Sequence, residues 1–165
     1  MNNENEKLIF EEEDTQKGRF LTFNLGDEAF GLEIKHVTEI IGVQPITLIP
    51  EVPNFVKGII NLRGKIIPVI DVRLKFKKEA IKYDDRTCII VVDINNISAG
   101  FIVDNVSEVL TISEENIVPP PEYKIGFQNN YIKNIGKTEN GVKLLLDCQK
   151  MLNEDELDIV EAIAM

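Results

Sequence analysis

The stretch Phe30–Ile41, FGLEIKHVTEII, lies over Ala99–Leu110, AGFIVDNVSEVL, and this internal repeat constrains the fold more than any other feature of the chain. Gly31 falls on Gly100, Val37 on Val106 and Glu39 on Glu108, while Ile34/Val103, Thr38/Ser107 and Ile40/Val109 are conservative. At a slightly larger offset, Phe55, Val56, Lys57, Ile59 and Asp71 fall on Tyr131, Ile132, Lys133, Ile135 and Asp147. The extra length lies in the loop at Pro119, Pro120 and Pro121. Two copies of a five-strand unit of about 60 residues, each made of short runs joined by tight turns, predict a mostly β fold of two packed five-stranded barrels. Closure of each barrel is expected to remove most exposed strand edges.

Local patterns fill in this frame. From Arg19 onward Phe20, Thr22 and Asn24 alternate with Leu21, Phe23 and Leu25, and Gly26-Asp27 turns the chain into Glu28–Ile34, a hairpin signal. Ile34–Ile40 fits either a helical turn or a continued strand. Pro45, Pro50 and Pro53 bracket Ile46–Ile49, which reads as an extended, partly exposed strand because proline cannot donate to a central ladder. Asn140-Gly141 carries the signal of a type I′ turn. Asn153 to Glu156 resembles a capping box, and Leu157, Val160, Ile163 and Ala164 give the following helix one apolar face. The expected organisation is an acidic, mobile arm over 1–17, a body over 18–152 with lobes near 18–80 and 86–150 and room for the termini to cross over, and a C-terminal helix over 153–165.

The net charge of −10 argues against general binding to nucleic acid or anionic lipid. Met1–Asp14 holds six acidic residues and one lysine without an apolar core for a signal peptide, so a cytoplasmic chain is expected. No apolar run approaches the roughly 18–20 residues that span a bilayer, so any membrane association is expected to run through a partner. Cys88 and Cys148 sit in strand-like runs and are expected to be reduced core residues.

One segment departs from the acidic background. In Phe55–Phe76, FVKGIINLRGKIIPVIDVRLKF, two β-branched runs flank Arg63-Gly64, so the segment reads as a hairpin with Arg63 at an exposed tip. Between Lys57 and Lys78, the cations Lys57, Arg63, Lys65, Arg73, Lys75, Lys77 and Lys78 stand against a single acid, Asp71, and such a local inversion of charge marks a candidate docking surface.

The string VKGIINLRGKIIPVIDVR resembles the signature of CheW-type chemotaxis coupling proteins, carried here by Gly58, Asn61, Leu62, Arg63, Gly64, Pro68, Asp71 and Arg73, with Val72 where leucine is usual. FLTFNLGDEAFGLEIKHVTEII and GFIVDNVSEVL are similar to the family's flanking segments, so the resemblance runs from about Phe20 to Leu152. It implies SH3-like barrels with short helices, and a non-enzymatic adaptor, without a cofactor, that bridges the cytoplasmic tips of chemoreceptors to the regulatory domain of the histidine kinase CheA. It further implies barrel-to-barrel contact with the kinase and a receptor hairpin received in a groove near the lobe junction. The family's coupling positions fall on Val37 and Glu39, on Gly58, on Asn61, Leu62, Arg63 and Gly64, and more weakly on Val109.

Other chemistries find little support in the residues. His36 is the only histidine and no G-x-S-x-G is present, which leaves nucleophilic hydrolysis without its parts. Gly136-Lys137-Thr138 copies the end of a phosphate-binding loop but lacks the first glycine and a following helix. Asp71 and Asp147 occupy equivalent strand ends, where capping of turn N–H groups is the simpler role than a paired-carboxylate mechanism. The competing reading from another class is a small barrel that binds single-stranded nucleic acid through the basic hairpin, although the aromatic residues are not interleaved with the cations.

Overall fold

The structure, a computed structural model, describes residues 16–121 and 130–164. Most of the acidic arm, with Leu8, Ile9 and Phe10, therefore lies outside the described residues.

The strands are β1 (Arg19–Leu25), β2 (Glu28–Glu33), β3 (Val37–Gly42), β4 (Val56–Leu62), β5 (Lys65–Asp71), β6 (Cys88–Ile94), β7 (Ile97–Val103), β8 (Asn105–Thr111), β9 (Ile117–Val118), β10 (Ile132–Thr138) and β11 (Gly141–Leu146). A single helical turn, α1 (Val72–Lys75), follows β5, and a longer helix, α2 (Glu154–Ala164), ends the described chain. Ile34–Ile40 is both of its expected alternatives in turn: a 3-10 turn at Ile34–His36 and then β3.

Two sheets form, in the orders β8-β1-β2-β11-β10-β9 and β3-β6-β7-β5-β4. The repeat explains both. The first lobe takes its leading hairpin β1–β2 from the first copy and β8, β10 and β11 from the second; the second lobe takes β6–β7 from the second copy and β3, β4 and β5 from the first. The copies have thus exchanged strands, through parallel pairings of β2 with β11 at Gly31↔Leu145 and of β5 with β7 at Val69↔Gly100. The crossing of the chain is reciprocal, and neither lobe is a continuous piece of sequence.

The mostly β fold of two SH3-like units is the expected one, but the pairings do not close either sheet among the described residues. β8 and β9 are the edges of one, and β3 and β4 are the edges of the other. The prolines act in the same sense: Ile46–Ile49 does not form the expected strand, and only an isolated bridge, Thr47↔Ile59, touches β4. The tip of the β10–β11 hairpin also differs from expectation. The turn is Glu139-Asn140, and the left-handed φ falls on Gly141 at +116°, so the type I′ turn is absent there.

Alternation along the strands fills three clusters. Ile89, Val91 and Ile102 point into the second lobe with Ile60, Ile67 and Val69, while Ile90, Val92, Ile94, Phe101 and Val103 point the other way. These join Leu21, Phe23, Phe30, Leu32, Ile70 and Leu146 in the largest cluster, which seals the lobes together. Both faces of β6 are buried, which is why CIIVVDI reads as an almost unbroken apolar run. The first lobe's own interior is smaller: Phe20, Ile112 and Leu145.

Both aspartates end strands as caps. Asp71 accepts from the Leu74 amide at 3.3 Å and Asp147 from the Gln149 amide at 3.1 Å. Their own amides donate to equivalent carbonyls, Asp71 to Phe55 and Asp147 to Tyr131, each at 2.8 Å. Cys148 is buried as expected, and burial pushes its thiol up to about 12, a poorly reactive state; Cys88 is only half-buried at the start of β6.

Candidate functional site

The site is built at the open seam of the second lobe, where the edge strands β3 and β4 are not hydrogen-bonded to each other. A tight turn shapes one side. Arg63 and Gly64 have φ of +52° and +87°, the left-handed pair a type I′ turn needs. The Asn61 side-chain oxygen braces it by accepting from the Gly64 amide at 2.8 Å. A left-handed conformation is costly for arginine, so the turn holds this side chain where the backbone alone would not favour it.

The other side is β3. A register shift between Val37 and Glu39 bulges the strand against β6. Glu39 then reaches across the seam, and Arg63 Nη2 donates to its Oε2 at 2.5 Å. The pair is asymmetric in exposure, with the arginine side chain 71% and the glutamate 30% exposed. The second carboxylate oxygen, Oε1, is buried and has no hydrogen-bond partner among the described residues. Around the pair lies an open cleft of about 360 Å³, lined by Thr38, Leu62, Lys65, Ile67, Val91 and Ser98. Lys65 Nζ donates to Ser98 Oγ at 2.8 Å on its rim.

Gly58 shapes this region through its backbone. Its φ is +145°, and a Cβ there would come within 2.0 Å of the Thr47 carbonyl oxygen. The absent side chain lets the Thr47 segment lie against β4, with mutual bonds between Thr47 and Ile59 at 2.9 Å. Of the remaining candidates, Leu62 packs on the second lobe's interior, and Val37 packs on the shared cluster. Val109 stands apart from them on β8, in the first lobe, 42% exposed.

Folding offsets much of the inversion of charge in the hairpin. Four of its seven cations pair with carboxylates of the same chain: Arg63 with Glu39, Arg73 with Asp104, Lys75 with Glu156 and Lys78 with Glu28. Lys75 is not on the surface at all, its side chain being 5% exposed. Linear sequence hides this compensation, since each carboxylate partner lies far away in the chain. Arg73 grips Asp104 through Nε at 2.7 Å and Nη2 at 2.5 Å, and the Gly26 amide adds a third bond to Asp104 at 2.7 Å. Burial alone would raise the Asp104 carboxyl, but these bonds and the charges of Arg73 and Lys78 hold it below the ordinary carboxylate range.

Two open-edged β lobes sealed by a shared core, with a shaped and charged seam on one of them, define a two-lobed β binding module. Residues 19–156 match the family model described as the CheW-like domain. The chain is 38% identical over 145 residues to the chemotaxis protein CheW of Klebsiella aerogenes, covering 88% of this chain and 87% of that protein. It is 34% identical to CheW of Helicobacter pylori over 145 residues, with the same coverage of 88% and 87%. A crystal structure of the scaffolding protein TtCheW from Thermoanaerobacter tengcongensis is similar at a TM-score of 0.77 and 37% identity, over 84% of this chain and 94% of that one. This chain belongs to the CheW-like domain family. Among its described residues, no helix is long and apolar enough to cross a membrane.

Proposed function

We propose that this chain is a non-enzymatic adaptor of chemotaxis signalling, which couples chemoreceptors to the histidine kinase CheA by binding the receptor tip and the kinase regulatory domain. The chemotaxis relatives and the structural neighbour, a scaffolding protein, support the signalling role. The observation that carries the reading on this chain itself is the Glu39–Arg63 pair. Two coupling positions, far apart in sequence, meet at one exposed seam, and the glutamate keeps a buried oxygen without a donor. A partner N–H group would satisfy that oxygen once docking turns the Glu39 carboxylate outward, and the Arg63 fork still has free donors to offer.

In this reading Glu39 and Arg63 make contact, Asn61 and Gly64 hold the turn, Gly58 admits the Thr47 segment, and Leu62 and Val37 support the seam from beneath. Val109 belongs to a separate contact of the first lobe. The chain works in the cytoplasm and reaches membrane receptor arrays through its partners. The nucleic-acid alternative loses support because four of the seven hairpin cations are paired internally.

Gel filtration of the chain with a receptor tip fragment and the kinase regulatory domain should give a ternary complex. Kinase output in receptor-containing membranes should rise with added chain and then saturate. A chain that ignores both partners but retards single-stranded RNA at physiological salt overturns the proposal.

A further inference from the structure

The repeat places Lys75 and Met151 at equivalent positions, four residues beyond Asp71 and Asp147, and both are buried. The fold accepts an uncharged side chain at one of these positions, so packing does not require the cation at the other. A buried ion pair is weak support for stability compared with an apolar replacement, and its better-attested use is to fix which partners fit. Lys75 Nζ lies 4.3 Å from the Phe55 ring centre and 5.4 Å from that of Tyr131, the two rings the repeat makes equivalent. Both oxygens of Glu156 close the cage at 2.5 Å. Glu156 comes from α2, where it also completes the capping box: Asn153 N donates to its Oε1 at 2.9 Å, and its own amide donates to Asn153 Oδ1 at 2.8 Å. Leu157 and Val160 of the same helix press on the core shared by the lobes.

This seat therefore selects a helix with a carboxylate followed one and four positions later by apolar residues. An apolar helix without the carboxylate would leave a buried ammonium unpaired. Only Asn153 separates α2 from the buried Leu152, and a short link of this kind lets a terminal helix leave its own seat and enter an identical one. We propose that the Lys75 seat is a carboxylate-selective helix-docking site, filled by the chain's own α2 and able to take α2 from a second copy, so that two copies joined in this way form a reciprocal, helix-exchanged dimer. This goes beyond the adaptor role and does not depend on it, since neither a receptor nor a kinase enters the argument.

The test uses full-length protein and a fluorescent peptide of sequence Asn153–Ala164. Glu156→Lys turns the chain's own helix against Lys75, so this variant should bind the peptide at least roughly tenfold more tightly than wild type does. The same peptide carrying Glu156→Gln should bind several-fold more weakly, and Lys75→Met in the protein should abolish that discrimination. Two differently tagged wild-type copies, mixed at high concentration and warmed, should yield mixed dimers that persist on dilution. Equal binding of the two peptides overturns the proposal, as does exclusive recovery of monomers. The tagged-copy experiment decides the matter if Glu156→Lys fails to fold.

Discussion

At the seam of the second lobe, Glu39 on β3 meets Arg63 at the β4–β5 turn; at the seam of the first, Glu108 on β8 shares a cleft with Glu139 at the β10–β11 turn. The repeat makes Glu39 equivalent to Glu108 and Arg63 to Glu139, so one seam is bridged by an ion pair between these positions and the other places two glutamates there, with Lys137 and Lys143 lining the same cleft. The open volumes differ too, about 360 Å³ against about 750 Å³. The interiors diverge in the same direction. Where the second lobe has Ile60, Ile67, Val91 and Ile102, the first has Gly136, Lys143, Thr22 and Glu33. What both lobes keep is the frame: Gly31 and Gly100 at the parallel pairings, and aspartate caps at the ends of β5 and β11. The frame holds the fold, and the seams are free to specialise.

Strand exchange makes the two lobes one cooperative unit, which is the broadest claim to break. Ile70 and Leu146 are equivalent and both lie in the shared cluster. Ile70→Ala and Leu146→Ala should each cost about 2–5 kcal/mol while leaving a single unfolding transition in calorimetry. Two separate melts, each moved by one substitution, would show independent lobes.

A difference between the lobes follows from Gly58, which corresponds to Asn134, both at the register shift of their strands. Gly58→Ala should cost about 1–3 kcal/mol, through φ strain and the collision with the Thr47 carbonyl. Asn134→Ala should stay within about 0.5 kcal/mol in the same urea titration.

Asp104 ties the β1–β2 turn to α1, and its folded carboxyl titrates below its unfolded value. The stability it contributes is therefore present above the unfolded carboxylate pKa and is lost as pH falls through the folded one. Urea midpoints of wild type should drop across this acid range by more than those of Asp104→Asn, the difference at neutral pH being about 1.5–3 kcal/mol. Parallel pH profiles would remove this clamp from the account. The smallest effect sharpens the seams themselves: Glu139→Arg places the second lobe's charge pattern on the first and should stabilise by no more than about 1 kcal/mol, with the gain shrinking in high salt.

Much of the fold was legible because the repeat, the alternation and the capping signals are local or near-local patterns. β4 and β5 and the aspartate caps follow from them, whereas Ile34–Ile40 fits a helical turn and a strand equally and is a 3-10 turn followed by β3. Strand exchange was not legible, because the same eleven strands can be dealt to two lobes with or without crossing, and only the side-by-side packing of β2 with β11 and β5 with β7 decides. The site was partly legible. The NLRG turn and Glu39 came from their resemblance to the family, but their meeting across the seam depends on the bulge at Thr38 and on the left-handed Arg63. The charge of the basic hairpin was only partly legible for an electrostatic reason: Glu28, Glu39, Asp104 and Glu156, all remote in sequence, offset four of its seven cations after folding.

Arg63 offers the most direct test of the adaptor reading, because its side chain is largely solvated and its single ion pair is of a kind worth roughly 0–1 kcal/mol. Thermal melts and binding titrations with the receptor tip and kinase regulatory domain should be run together on wild type, Arg63→Ala and Arg63→Lys. Both variants should melt within a few degrees of wild type yet bind at least roughly tenfold more weakly, about 1.4 kcal/mol, since lysine cannot reproduce the planar fork. A folded Arg63→Ala protein that binds receptor and kinase as tightly as wild type does would contradict the account.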